Sequence, residues 1–402
     1  DISRAYFNAL IAREVYVELP REAGHGKDVV GQLVKCMYGT RDAAQGWENA
    51  YRTALPCVFS HAGKQVFLTV HGDDFLATGS AASLAWFERT LLTTFEGKVK
   101  GRLQKPGDEL RILNRIARRT ENGYEWEADQ RHAELIVASA GLDSESRPLT
   151  NPGRKLAGKE LEEPDLLGTE AASEYRARAA RANFLASDRP DVAFAVKELC
   201  RGMSAPTVRD QEALKRLARY LLGRPRVVFH YAWQKSPASL DVYTDSDWAG
   251  CVRTRKSTTG GAMMRGRHIL KTWSHTQATI ALSSAEAELI AAVKGAAEGL
   301  AVRSLVQDVG RDCALRIHVD SSAAIGICRR TGVGKVRHLD TRLLWVQELV
   351  RDGTLEVVKI AGIINPADLM TKHLAAEAIS ANLTRLDCFE RAGRSELAPR
   401  CI

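Results

Sequence analysis

Between residues 239 and 376 the sequence changes its apolar period in an order that leaves few architectures open. Leu240, Val242 and Thr244 alternate with Asp241 and Tyr243, the two-residue period of a strand with one buried face. Two more strand-like runs follow, around residues 261–264 and 268–273, and then a long Ala-rich stretch at helical spacing. Three antiparallel strands and a helix account for this block. Beyond it the pattern predicts a strand over 315–319, a helix over 321–329, another near 341–351, a strand over 355–360 and a last helix from about Pro366.

Acidic residues sit where these elements end. Asp245 closes the first strand, and Asp320 closes the strand over 315–319 in the same way, so the two lie side by side if their strands are neighbours. The helix opening at Ser283 offers two glutamates. With Ser283 as N-cap, Glu286 completes a capping box and is explained by local structure. Glu288 lies about 200° around the helix from it, beside Leu289, Ala292 and Val293, on the face that packs on the sheet. A carboxylate there needs a counter-charge, and a metal ion supplies one. Asp368 falls in the first turn of the predicted last helix, where a dipole-compensating acid is the ordinary explanation. Each acid taken singly has such a structural explanation; the case rests on the set. Oxygen-only ligands suit Mg2+ or Mn2+. Two such ions in one site activate a water and stabilise the leaving oxygen in phosphodiester hydrolysis.

The remaining features bound the problem. At 402 residues the chain exceeds one ordinary core, and 45% hydrophobic with 26% charged residues suits a folded multidomain protein. No run approaches the roughly 18 apolar residues of a membrane span, so no membrane partner is expected. A formal charge of +8 favours an acidic partner. The eight cysteines are scattered without zinc spacing, which suggests reduced thiols in an intracellular setting. The chain begins at Asp1 and reads as a fragment or processed product. A polar, Pro/Gly/Glu-rich stretch near 141–175 reads as a linker or surface loop. Thr207 with Asp210 predicts a helix start, Gly223 its stop, and Leu214, Leu217, Leu221 and Leu222 its apolar stripe. Lys215, Arg216 and Arg219 on the same helix form a solvated basic face or contact phosphate.

Thr244-Asp245-Ser246-Asp247-Trp248-Ala249-Gly250, Arg255-Lys256-Ser257-Thr258-Thr259-Gly260, Ala281-Leu282-Ser283-Ser284-Ala285-Glu286-Ala287-Glu288, Val319-Asp320-Ser321, Arg337-His338-Leu339-Asp340 and Ala367-Asp368 resemble the ribonuclease H of copia-type long-terminal-repeat retrotransposons. The order Asp, Glu, Asp, Asp differs from the Asp, Asp, Glu of integrases and transposases. The resemblance implies cleavage of the RNA strand of an RNA–DNA hybrid by two ions held on Asp245, Glu288, Asp320 and Asp368. Lys256, Ser257 and Thr258 are candidates for phosphate contact, an ordinary surface turn being the alternative. Relatives often carry a His before the last Asp, where this chain has Ile363 and Ile364.

Upstream, Asp1-Ile2-Ser3-Arg4-Ala5-Tyr6-Phe7-Asn8, the segment from Leu33 to Ala44 and Val70-His71-Gly72-Asp73-Asp74 resemble the polymerase part of the same polyprotein, and Asp188-Arg189-Pro190-Asp191-Val192-Ala193-Phe194-Ala195-Val196 resembles the region joining polymerase to nuclease. Asp1, Asp73 and Asp74 would then be the metal triad of a reverse transcriptase palm, again with two ions, acting on RNA template and DNA primer. The fingers are absent, the interval from Trp47 to Asp73 is shorter than the family's pattern, and His71-Gly72 stands in place of Tyr-Val. Primer extension by this chain alone is therefore not expected.

The combined expectation is an α+β/α/β multidomain chain. It comprises a partial palm over 1–100, a mostly helical thumb/connection region over 101–235, a ribonuclease H-like domain with a mixed five-stranded sheet over 236–376, and a tail over 377–402. Its function would be that of a hybrid ribonuclease with a truncated RNA-directed DNA polymerase, working in a cytoplasmic particle or the nucleus beside integrase, protease and capsid parts. The alternative is a catalytically decayed nucleic-acid-binding remnant.

Overall fold

The computed structural model describes residues 11, 13–19, 24, 29–37, 58–143, 145–155, 164–334 and 338–400. The chain divides into two units, residues 1–102 with 307–311, and residues 103–306 with 312–402. No unit boundary falls near 235.

In the first unit β1 (Tyr16–Glu18) pairs with β2 (Val30–Gln32). A three-stranded antiparallel sheet follows, β3 (Val58–His61), β4 (Val66–His71) and β5 (Asp74–Thr78), and then α1 (Ala81–Thr94), capped by the Ser80 hydroxyl. The β4–β5 turn has Gly72 at φ +61°, a conformation that a side-chain-bearing residue resists. Little is packed among its described residues. Among the described residues of this unit only Cys36, Val66 and Val70 are buried, and α1 buries none.

The second unit opens with a sheet that the sequence does not announce. β6 (Glu109–Ile112), β7 (Arg115–Thr120) and β8 (Gly123–Glu127) form an antiparallel meander, which β9 (Val227–Ala232) and β15 (Cys388–Glu390) extend into a sheet of order β15-β9-β8-β7-β6. Four helices accompany it, α2 (Gln130–Ser139), α3 (Thr169–Ala186), α4 (Ala193–Arg201) and α5 (Val208–Gly223). The expectation of a mostly helical region over 101–235 therefore needs correcting to helices plus a sheet. The signal was masked because β7 reads as polar: Arg118 is buried, held by Glu127 and Glu109 at 2.6 Å each. Arg226 closes on Glu127 from the other side at 2.5 Å. Leu217 and Leu221 of α5 are fully buried with Tyr175, Ala179 and Leu199, each leucine contributing roughly 2 kcal/mol. α5 has its capping box, the Asp210 N–H donating to Thr207 and the Thr207 N–H to Asp210 at 3.0 Å. Gly223 is the last helical residue, and Arg224 serves as C-cap.

β9 (Val227–Ala232) leads into the second five-stranded sheet, of order β12-β11-β10-β13-β14. β10 (Ser239–Asp247), β11 (Thr258–Arg265) and β12 (His268–Thr276) are antiparallel; the long α6 (Ser284–Asp308) then crosses to β13 (Ala314–Val319), parallel to β10. α7 (Ser322–Arg329) and α8 (Trp345–Arg351) precede β14 (Glu356–Lys359), which lies parallel to β13. The sheet is mixed and five-stranded, as expected. Small residues bring α6 close: a Cβ on Gly295 would meet Thr244 Cγ2 at 2.5 Å, and one on Gly299 would meet Leu315 Cδ1 at 2.5 Å.

Two expectations change at the C-terminal end. The predicted helix from Pro366 is a five-residue 3-10 turn, Pro366–Met370, with Asn365 capping it and Pro366 at its start. Residues beyond 377 are not a tail. α9 (Ala376–Arg385) packs Ile379 and Leu383 with Phe229, Met264 and Leu369, and β15 (Cys388–Glu390) pairs with β9. No described helix is long and apolar enough to cross a membrane.

Candidate metal centre

The parallel register that pairs Tyr243 with His318 carries β10 and β13 two residues on to Asp245 and Asp320. Glu288 of α6 joins them, and one carboxylate oxygen from each of the three lies within 4.8 Å of the others. Asp245 and Glu288 are buried, Asp320 half-buried. Glu288 Oε1 accepts from the Ser246 N–H at 3.0 Å and the Ser246 hydroxyl at 2.8 Å. Its Oε2 is buried with no hydrogen-bond partner. Such an orphaned oxygen facing two acids costs free energy unless a cation binds it. Burial, then Asp245 and Asp320, push Glu288 up to about 8. Burial and Asp245 raise Asp320 likewise.

Asp368 stands on the 3-10 turn, its carboxylate 2.8 Å from Lys372 Nζ, which reaches Asp245 at 3.2 Å. Burial and Asp245 raise Asp368 to about 6, against the lowering effect of Lys372. Burial disfavours the charge of Lys372, but Asp245 and Asp368 outweigh it and hold its pKa high. Asn365 pins the turn to β10 by donating to the Thr244 carbonyl at 2.9 Å, and the Thr371 hydroxyl donates to Asp245. Sequence reasoning missed Asn365, Thr371 and Lys372. Their signal was their fixed spacing about Asp368, three residues before it and three and four after.

Glu286 accepts from the Leu282 N–H at 2.7 Å, while its own N–H donates to Ser283 at 3.2 Å. It also faces His338 at 3.3 Å. Ser283 thus caps the helix as expected, but Glu286 accepts from the Leu282 N–H rather than the Ser283 N–H of a capping box, while Glu288 turns to the acids. Ser257 and Thr258 are buried; the Ser257 hydroxyl accepts from the Ala249 N–H at 3.0 Å, and Thr258 accepts from Lys197 at 2.7 Å. Lys256 is half-buried beside them. In the first unit Asp73 is exposed in the β4–β5 turn, and Asp74 pairs with Lys100 at 2.6 Å. Asp1 lies outside the described residues. Among the described residues the group able to hold a metal is Asp245, Glu288 and Asp320, with Asp368 linked to it through Lys372.

No protein-family model matches the chain. Its sequence is 26% identical over 399 residues, 92% of its length, to the retrovirus-related Pol polyprotein from transposon TNT 1-94 of Nicotiana tabacum. It is 27% identical over 94% of its length to that from transposon RE1 of Arabidopsis thaliana. Over most of its length the chain is homologous to retrovirus-related Pol polyproteins of plant transposons. The chain spans 29% and 26% of the length of those two relatives. Its fold is similar to that of the foamy viral protease-reverse transcriptase solved with RNA/DNA hybrid, with a TM-score of 0.53 and 12% identity, covering 90% of this chain and 43% of that one. The described residues thus combine a fold similar to that of a viral protease-reverse transcriptase with a buried acid cluster.

Proposed function

We propose that residues 236–376 form a copia-type ribonuclease H that hydrolyses the RNA strand of an RNA–DNA hybrid. Residues 101–235 would be the connection region, and residues 1–100 a palm region carrying Asp1, Asp73 and Asp74 that is inactive alone. The observation that carries the reading is the orphaned Glu288 oxygen facing Asp245 and Asp320. An all-oxygen, anionic donor set of this kind fits a hard divalent cation. Asp245, Glu288, Asp320 and Asp368 would hold two Mg2+ or Mn2+ ions. When bound, these ions supply the charge that activates the attacking water and stabilises the leaving oxygen.

The chain's own groups prepare that site. Ser246 fixes the rotamer of Glu288 through two hydrogen bonds. Thr371 orients Asp245, and Asn365 sets the height of the turn that brings Asp368 to it. Lys372 neutralises Asp245 and Asp368 in the resting protein and must give way as the ions enter. The same lysine favours the second reading, a decayed hybrid-binding protein whose acids are held by an internal cation. A labelled RNA–DNA hybrid with Mg2+ separates the two. The nuclease reading expects cleavage by the wild type and none by Asp320→Asn; binding by both proteins with cleavage by neither leaves the binding reading.

A further inference from the structure

The helices beside the acid cluster carry cations that the chemistry above does not use. Arg216 and Arg219 lie on α5, and among the described residues neither has an ion pair: Arg216 donates to Asn151 Oδ1, and Arg219 to the Arg147 carbonyl at 2.8 Å. Arg216 Nε is buried with no hydrogen-bond partner. Burial, then Arg154 and Arg219, lower the pKa of Arg216, with no carboxylate among the groups acting on it. A half-buried guanidinium pressed by two others, with no acid acting on it, is unfavourable in the free protein and is of the kind retained where an anionic ligand offsets it.

Residues 151–155 tie this cluster to the acids. Asn151 holds Arg216. Gly153 passes so close to His373 that a Cβ there would stand 2.4 Å from the ring Cε1. His373 packs edge-on against Phe194 of α4 at 4.8 Å and directly follows Lys372. Burial holds His373 at about 4, so near neutrality the ring is a spacer rather than a charge. Lys155, at the end of the segment, acts on Asp247 of β10 together with Lys372 and Lys197. Arg154 and Lys155 are exposed, Arg216 and Arg219 half-buried. Positive charge therefore runs from the acids, past His373, to α5.

We infer that Arg154, Lys155, Arg216 and Arg219 form a phosphate-binding surface that grips the backbone of the nucleic acid whose scissile bond lies at the acid cluster. This rests on the ribonuclease reading and adds the residues that hold the substrate. Guanidinium forks match phosphate oxygens in pairs, and such contacts set register along a duplex without reading sequence. A phosphate would offset the Arg216 charge, which among the described residues no ion pair meets and only Asn151 contacts.

The test uses the full chain carrying Asp320→Asn, which binds without cutting, and a fluorescein-labelled RNA–DNA hybrid titrated over a range of KCl concentrations. Adding Arg154→Gln, Lys155→Gln and Arg219→Gln is expected to weaken binding about tenfold or more and to flatten the salt dependence by roughly 0.9 in log–log slope for each phosphate no longer neutralised. Arg216→Gln alone, checked for an unchanged melting temperature, is expected to act in the same direction. Lys235→Gln, at an exposed position outside the cluster, serves as control and is expected to leave both quantities unchanged. Tight binding by the triple variant with the control's affinity and slope overturns the inference while leaving the nuclease reading intact. Failure of the Asp320→Asn parent to bind hybrid at any salt overturns both.

Discussion

Glu288 is the most strained member of the acid cluster. It is buried, receives two hydrogen bonds on one oxygen and none on the other, and faces two further acids. Its folded pKa of about 8 lies above the ordinary 4.5, and that of Asp368, about 6, above 3.8. The folded state therefore keeps protons that the unfolded chain has released, and the sign follows from linkage. Stability due to these groups is fully present at low pH and is lost as pH rises toward about 8. Melting curves of the metal-free protein should show a lower midpoint at about pH 8.5 than at about pH 5, with added Mg2+ closing the gap. Equal midpoints at the two pH values would contradict this account. Glu288→Gln keeps an acceptor for Ser246 and removes the charge. It should stabilise the metal-free protein at about pH 8.5 by about 1–3 kcal/mol and abolish the Mg2+-dependent gain.

At the scale of elements, the distance between α6 and the sheet decides whether the acids meet. Gly295 lets the helix backbone rest on Thr244, the residue before Asp245. Gly295→Val forces helix and strand apart. It should cost about 1–3 kcal/mol in chemical denaturation and weaken Mg2+ binding measured by calorimetry. Ala297→Val, exposed on the same helix, should cost about 0.5 kcal/mol or less and leave metal binding unchanged. Glycine at helical spacing is visible in sequence; which strand residue it touches is not. The 3-10 turn under Asp368 is a related case. Pro366 and Asn365 mark its start in sequence, but its stop after Met370 follows from Leu369 and Met370 packing beside Met264 and Ile379. The β6–β9 sheet was illegible because its buried charges are paired across strands, and single-strand periodicity cannot see a partner on another strand.

At the scale of the whole molecule, residues 376–400 are structural. β15 completes the sheet of β9, Arg226 donates to the Ala392 carbonyl at 2.8 Å, and Arg394 pairs with Glu134 at 2.6 Å. Ending the chain after Lys372 exposes the β9 edge and the face beneath α9, so that variant should be recovered mainly in aggregates, whereas the full chain should elute as a discrete species in gel filtration. The first unit is the opposite case. Cys36, Val66 and Val70 are its buried residues among those described, and the described residues alone offer little to hold a primer terminus rigid. An RNA template with a DNA primer, dNTPs and Mg2+ should give no extension by this chain; incorporation that disappears with Asp73→Asn would refute the inactive-palm proposal.

By itself the sequence determined the periods of the strands and helices over 239–376, the placement of Asp245 and Asp320 at strand ends, and the division of labour between Glu286 and Glu288. Those properties depend on residue type and on neighbours a few positions away, which backbone geometry relates rigidly. Only the tertiary structure decided that β10 and β13 are adjacent, that Lys372 stands between Asp245 and Asp368, and that the C-terminal segment belongs to the β9 sheet. Adjacency between strands and the pairing of buried charges arise from contacts made across the fold, often more than a hundred residues apart in sequence for the charges at this site.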